Sequence, residues 1–136
     1  MLQSVAAVTV LVPNYDDGLR FFRDVLGFAV LEDSPLGGEK RWVVVAPSRG
    51  AGATLVLAVP SDERQRAHLG DQTGGRVGFF LHTNDFWSDH RTLLERGVRF
   101  LETPRREPYG TVAVFLDPWG GKWDLLQPSG KPGGIP

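Results

Sequence analysis

The sequence predicts an α+β fold made of two βαβββ modules, and three observations carry that prediction. A stretch of strand, polar break, amphipathic helix, glycine and strand occurs twice in the 136 residues. Three strand candidates follow each helical segment, separated by loops rich in Gly and Pro. One parity of the repeated strands is uniformly apolar, so each sheet has a face that must be covered.

The repeat is read directly. Val8 to Asp33 runs VTVLVPNYDDGLRFFRDVLGFAVLED, and Val77 to Thr103 runs VGFFLHTNDFWSDHRTLLERGVRFLET. Gly27 corresponds to Gly97. The ends also match, LVLAVP at 55–60 against WDLLQP at 123–128.

The first strand comes from the apolar run Val5–Val12. The first helix is expected over about Asp16–Leu26, with Asn14 as its cap and Asp17 favouring its start. Leu19, Phe22, Val25 and Leu26 recur at helical spacing and form one stripe. Gly27 closes the helix in the left-handed conformation. Strands are then expected at Phe28–Glu32, Arg41–Ala46 and Ala53–Val59, with loops at Ser34–Glu39 and Pro47–Gly52. Residues 5–60 make the first module. The polar stretch 61–76 reads as a linker with one short helix near Asp62–Leu69. The second module, 77–128, repeats the order. It has a strand from Val77, a helix over about Phe86–Arg96 capped by Asn84 or Asp85 and ended by Gly97, and strands at Arg99–Glu102, Thr111–Leu116 and Lys122–Gln127. Pro104–Gly110 and Asp117–Gly121 read as loops. The domain is expected to span 1–128, followed by a flexible Pro/Gly-rich tail, 129–136.

The two strand parities differ. Val8, Val10, Val12, Leu55, Leu57, Val59, Val77, Phe79, Leu81, Trp123 and Leu125 fall on the apolar one, which the helices are expected to cover. Ala7, Thr9, Leu11, Thr54, Val56, Ala58, Gly78, Phe80, His82, Lys122, Asp124 and Leu126 fall on the mixed one. That mixture suits a ligand cavity, which is mostly apolar with a few fixed polar groups. It equally suits a partly wet sheet face.

Composition excludes several chemistries. The absence of cysteine excludes disulfides, thiolate catalysis and Cys-type zinc sites. A formal net charge of −1 offers no basic surplus for nucleic acid. The run Val5–Val12 lacks leader features and is too short to span a bilayer, so a cytoplasmic location with no membrane partner is expected. Gly37-Gly38 and Gly120-Gly121 lack the Lys and Ser/Thr of a phosphate loop. Neither a nucleophile elbow nor an HExxH motif is present.

Four segments together resemble the glyoxalase/bleomycin-resistance/extradiol-dioxygenase superfamily, also called vicinal oxygen chelate. They are Asn-Tyr-Asp at 14–16, FFRDVLGF at 21–28, LERGVRF at 94–100 and DPWGGKWDL at 117–125. The resemblance covers about Val5 to Pro128. It implies an eight-strand U-shaped cup built from the two modules, frequent homodimers, and sites in the cup or between subunits. The superfamily hosts lyases, isomerases, dioxygenases and metal-free drug-binding proteins, so it does not fix the reaction.

Metal-dependent members carry ligands in the first and last strands of each module. Laid on this sequence, those positions fall at Ala7, Val56, Gly78 and Asp124. Asp124 is the one residue of the four that can ligate, whereas catalytic metal sites usually need about three protein ligands. A one-residue slip brings in Val8, Leu55 or Leu57, and Val77, none of which ligates. The sequence therefore predicts a small-molecule ligand or substrate, with neither a metal nor another cofactor. The alternative is a metal-dependent lyase, isomerase or dioxygenase with a non-standard site at Asp124 and His82. A metal-free enzyme using either residue as acid or base also stays open. Thr9, Trp42, Phe80, His82, Tyr109, Trp119 and Asp124 are the expected ligand-binding residues. Trp42, Trp119 and Phe80 would stack a planar ligand, and Tyr109 stands on a loop that would cover the cup. Arg41 and Arg105 would meet an anionic ligand. The plain reading of each is structural: Trp123 as core, His68 and His90 in solvent, Asp124 as a partner for a cation.

Overall fold

The computed structural model describes residues 1–50 and 52–130. Residues 131–136, most of the expected tail, lie outside them. The chain divides into two compact units, Met1–Leu69 and a second beginning at Gly70. Each holds one mixed β-sheet, so the fold is α+β.

In the first unit, β1 (Ala7–Leu11) pairs in parallel with β4 (Thr54–Ala58). β4 pairs antiparallel with β3 (Lys40–Ala46), and β3 with β2 (Ala29–Gly37), giving the order β1-β4-β3-β2. Asn14 caps α1 (Tyr15–Leu19) as expected: its side-chain oxygen accepts from the Asp17 amide at 2.8 Å. The helix does not continue as an α-helix to Leu26. Residues Arg20–Val25 form a π-helical segment, in which the Leu26 amide donates to the Phe21 carbonyl five residues back. The wider turn buries Phe21 and Phe22 side by side, with ring centroids 5.2 Å apart. The apolar parity behaves as read. Val10, Val12, Leu55 and Leu57 are buried beneath α1, whose Gly18 comes so close that an added Cβ would press on Val12 and Leu57. Val8, near the start of the edge strand, is an exception and is exposed. The β2–β3 hairpin is longer than expected, because the strands consume most of the Ser34–Glu39 loop. The short helix of the linker, α2, spans Glu63–Arg66 and is capped by Asp62.

The second unit repeats the order, with β5 (Val77–His82) parallel to β9 (Lys122–Pro128), then β8 (Gly110–Leu116) and β6 (Arg99–Phe100). α3 (Phe86–Glu95) is capped by Asp85 and packs on β9; the Phe86 amide donates to the Gln127 side-chain oxygen at 2.8 Å. Beneath it, register places Phe79, Trp123, Phe115 and Phe100 in one row across β5, β9, β8 and β6. Centroids along that row are 4.3, 5.9 and 5.6 Å apart. Trp123 is thus core, as expected. His90 corrects the reading of a solvent-facing residue. It lies 4.4 Å from the Phe100 ring and 5.7 Å from Phe86, and burial holds its imidazole below the ordinary histidine range.

The second unit has one strand more than expected among the described residues. Pro104–Gly110, read as a loop, contains β7 (Arg105–Glu107), which pairs with β8. The chain leaves β8 between β6 and β7, and Glu102 fills the gap: its carboxylate accepts from the Val114 amide at 2.9 Å, where a strand carbonyl would stand. The Asp117–Gly121 loop is built on buried Asp117. One of its oxygens accepts from the amides of Trp119 and Gly121, the other from the Trp123 indole N–H. Among the described residues no helix is long and apolar enough to cross a membrane.

Candidate functional site

Register and strand alternation define the face of each sheet turned away from its helix. In the first unit one row on that face is Thr9, Val56, Val44 and Glu32. The next holds Leu11, Ala58, Trp42 and Ser34. Trp42 is half-exposed, and its indole N–H donates to Glu32 at 2.9 Å. Thr9 is exposed. Arg41 does not stand open to an anion. It donates to Asp33 at 2.7 Å and Asp16 at 2.9 Å, and it lies over the Tyr15 ring at 5.3 Å. These bonds hold its guanidinium firmly protonated.

In the second unit Phe80 pairs with Asp124, and Asp124 with Val114; His82 pairs with Leu126, and Leu126 with Val112. Phe80, His82 and Asp124 therefore share a face, with apolar side chains between them. This register differs from the one laid out from the sequence. A bulge between Val77 and Phe79 shifts the strand, so Phe80 and not Gly78 stands beside Asp124. A Cβ at Gly78 would meet the Thr73 side chain at 3.0 Å.

Asp124 is 6% exposed, and its Oδ1 has no hydrogen-bond partner among the described residues. Burial pushes its carboxyl above the usual carboxylate range. The nearby Arg105 charge opposes that shift and Glu102 adds to it. Arg105 is committed elsewhere. It donates to Glu102 at 3.1 Å, to Glu107 at 2.7 Å and to the Tyr109 hydroxyl at 3.3 Å. Tyr109 joins the face through this network. Trp119 stands at the opposite end of the β8–β9 hairpin, its amide engaged by Asp117.

The residues that sequence reasoning missed are Glu102 and Glu107. A signal existed for Glu107, because Arg105, Glu107 and Tyr109 recur every second residue, the period of one strand face.

The donor set does not fit the metal that related folds hold. Ala7, Val56 and Gly78 carry no ligating atom, and Gly78 is out of register with Asp124. Both Glu102 oxygens are taken, by the Arg105 guanidinium and the Val114 amide. Among the described residues no group of three or more His, Asp or Glu side chains is gathered.

The profile of the Glyoxalase/Bleomycin resistance protein/Dioxygenase superfamily matches residues 4–125. An uncharacterized protein of Shewanella frigidimarina (strain NCIMB 400) is 42% identical over 132 residues, covering 96% of this chain and 98% of its own. A superfamily member from Sphaerobacter thermophilus DSM 20745 is 30% identical with a TM-score of 0.74, covering 93% of this chain and 98% of its own. TnmS3, an antibiotic binding protein from Streptomyces sp. CB03234, is 33% identical with a TM-score of 0.75, over 94% of this chain and 98% of its own.

Proposed function

The chain belongs to the Glyoxalase/Bleomycin resistance protein/Dioxygenase superfamily, and from that membership we propose that it is a metal-independent binder of a small organic molecule. The ligand is held on the open sheet face of the second unit, around Asp124. One observation carries this reading: a buried carboxyl oxygen without a partner, set among Phe80, Val114 and Leu126. A buried acceptor left unpaired costs about 1–3 kcal/mol, and a ligand N–H or O–H removes that cost. Phe80, 51% exposed, offers a ring to stack on. Similarity to an antibiotic binding protein supports a planar, aromatic ligand of that general kind. Titration with a panel of aromatic antibiotics, followed by tryptophan fluorescence in the presence of chelator, tests the proposal. Saturable quenching by at least one compound is expected. Failure of the whole panel, or quenching that requires an added metal ion, contradicts it.

A second reading has its own support. A carboxyl raised toward neutrality by burial is suited to moving a proton, so Asp124 would act as acid or base in a metal-free reaction. In that case Asp124→Asn abolishes turnover and spares binding; in the binding reading the same change weakens binding itself.

A further inference from the structure

The charges around Asp124 identify the ligand group that meets it; this inference rests on the binding reading above. β5 contributes His82 to the open face, and β8 contributes the uncharged Val112 and Val114. β9 contributes Lys122, two residues before Asp124, with no ion pair to it among the described residues. The segment from Glu102 to Tyr109 contributes two carboxylates, one guanidinium and a phenol. Arg105 is consumed by Glu102 and Glu107, which leaves that network one negative charge in excess before Asp124 is counted. An ionised Asp124 would add a second with no cation bonded to it.

We propose that the ligand presents a protonated amine, amidine or guanidine on an aromatic body, and that this cation replaces the proton on Asp124. Without ligand, the carboxyl is uncharged. On binding, its O–H bond breaks, the proton passes to solvent, and a ligand N⁺–H donates to the carboxylate. The site keeps its net charge, and the orphan oxygen gains its donor. Access runs past Phe80, which is half-exposed beside Asp124 and swings off the carboxyl by rotating about its first side-chain torsion.

Benzylammonium and benzyl alcohol carry the same ring and differ in the charge of the donor. Both are titrated into isotope-labelled protein while the backbone amide resonances of Phe80, Val114 and Asp124 are followed. Benzylammonium is expected to shift these resonances saturably, about tenfold more tightly than benzyl alcohol at pH 7. Its affinity is expected to fall as pH is lowered and Asp124 takes up its proton, and Asp124→Asn is expected to erase the preference. If benzyl alcohol binds as well as the cation, or if the preference survives in Asp124→Asn, the charge assignment is overturned and the small-molecule reading stands. If neither compound moves these resonances at concentrations up to about 50 mM, the binding reading fails and takes the inference with it. The comparison of the two probes on the unaltered protein does not depend on how the variant folds.

Discussion

At the scale of single residues, two aspartates in β9 and the loop before it are buried for opposite reasons. Asp117 is satisfied by the amides of Trp119 and Gly121 and by the Trp123 indole. Replacing it with Ala strands those donors, and urea unfolding is expected to show a loss of roughly 2–4 kcal/mol. Asp124 has no such compensation. Its folded-state value lies above its unfolded value of about 3.9, so at neutral pH the folded chain binds more proton than the unfolded one. Its contribution to stability is fully present below the unfolded value and is lost as pH rises through the folded value. Asn does not titrate. The melting temperature of Asp124→Asn relative to the parent should therefore climb between pH 4 and pH 7, on top of any constant offset from the amide. Calorimetry at the two pH values checks this, and a difference that stays flat or falls contradicts it.

At the scale of elements, what could be read in advance followed from local chemistry. The Asn14 and Asp85 caps, the apolar stripes, and the closing glycines Gly27 and Gly97, both at positive φ, depend on residues near in sequence. Asn14→Ala should lower stability by about 1 kcal/mol. The features that escaped depend on partners far along the chain. β7 is three residues between Pro104 and Pro108, and it is a strand because β8 supplies the ladder. The bulge at Gly78, which moves Phe80 beside Asp124, follows from pairing with β9. The part of the site carried by strand alternation, namely Phe80, His82 and Asp124, was visible in the sequence. The part carried by Glu102 was hidden, because its role is to stand in for a missing strand carbonyl. Gly70 is a similar case: at φ +71°, a Cβ there would collide with the carbonyl oxygen of Trp119. Gly70→Ala is expected to cost about 1–3 kcal/mol through left-handed strain alone, read as a lower urea midpoint.

At the scale of the whole molecule, each unit sets a helix against one sheet face and leaves the other face for chemistry. That division lets one architecture host unrelated activities, since changes on the open face leave the packed face alone. The central claim is that the open face around Asp124 takes a small organic molecule without a metal. Calorimetric titration of chelator-treated protein with an aromatic antibiotic identified by fluorescence tests it most directly, run in parallel on the parent chain and Asp124→Asn. The account predicts saturable binding to the parent, unchanged by adding nickel, zinc, manganese or iron(II), and markedly weaker binding to the variant. Binding that appears only after one of those ions is supplied, or that is identical in both proteins, would contradict it.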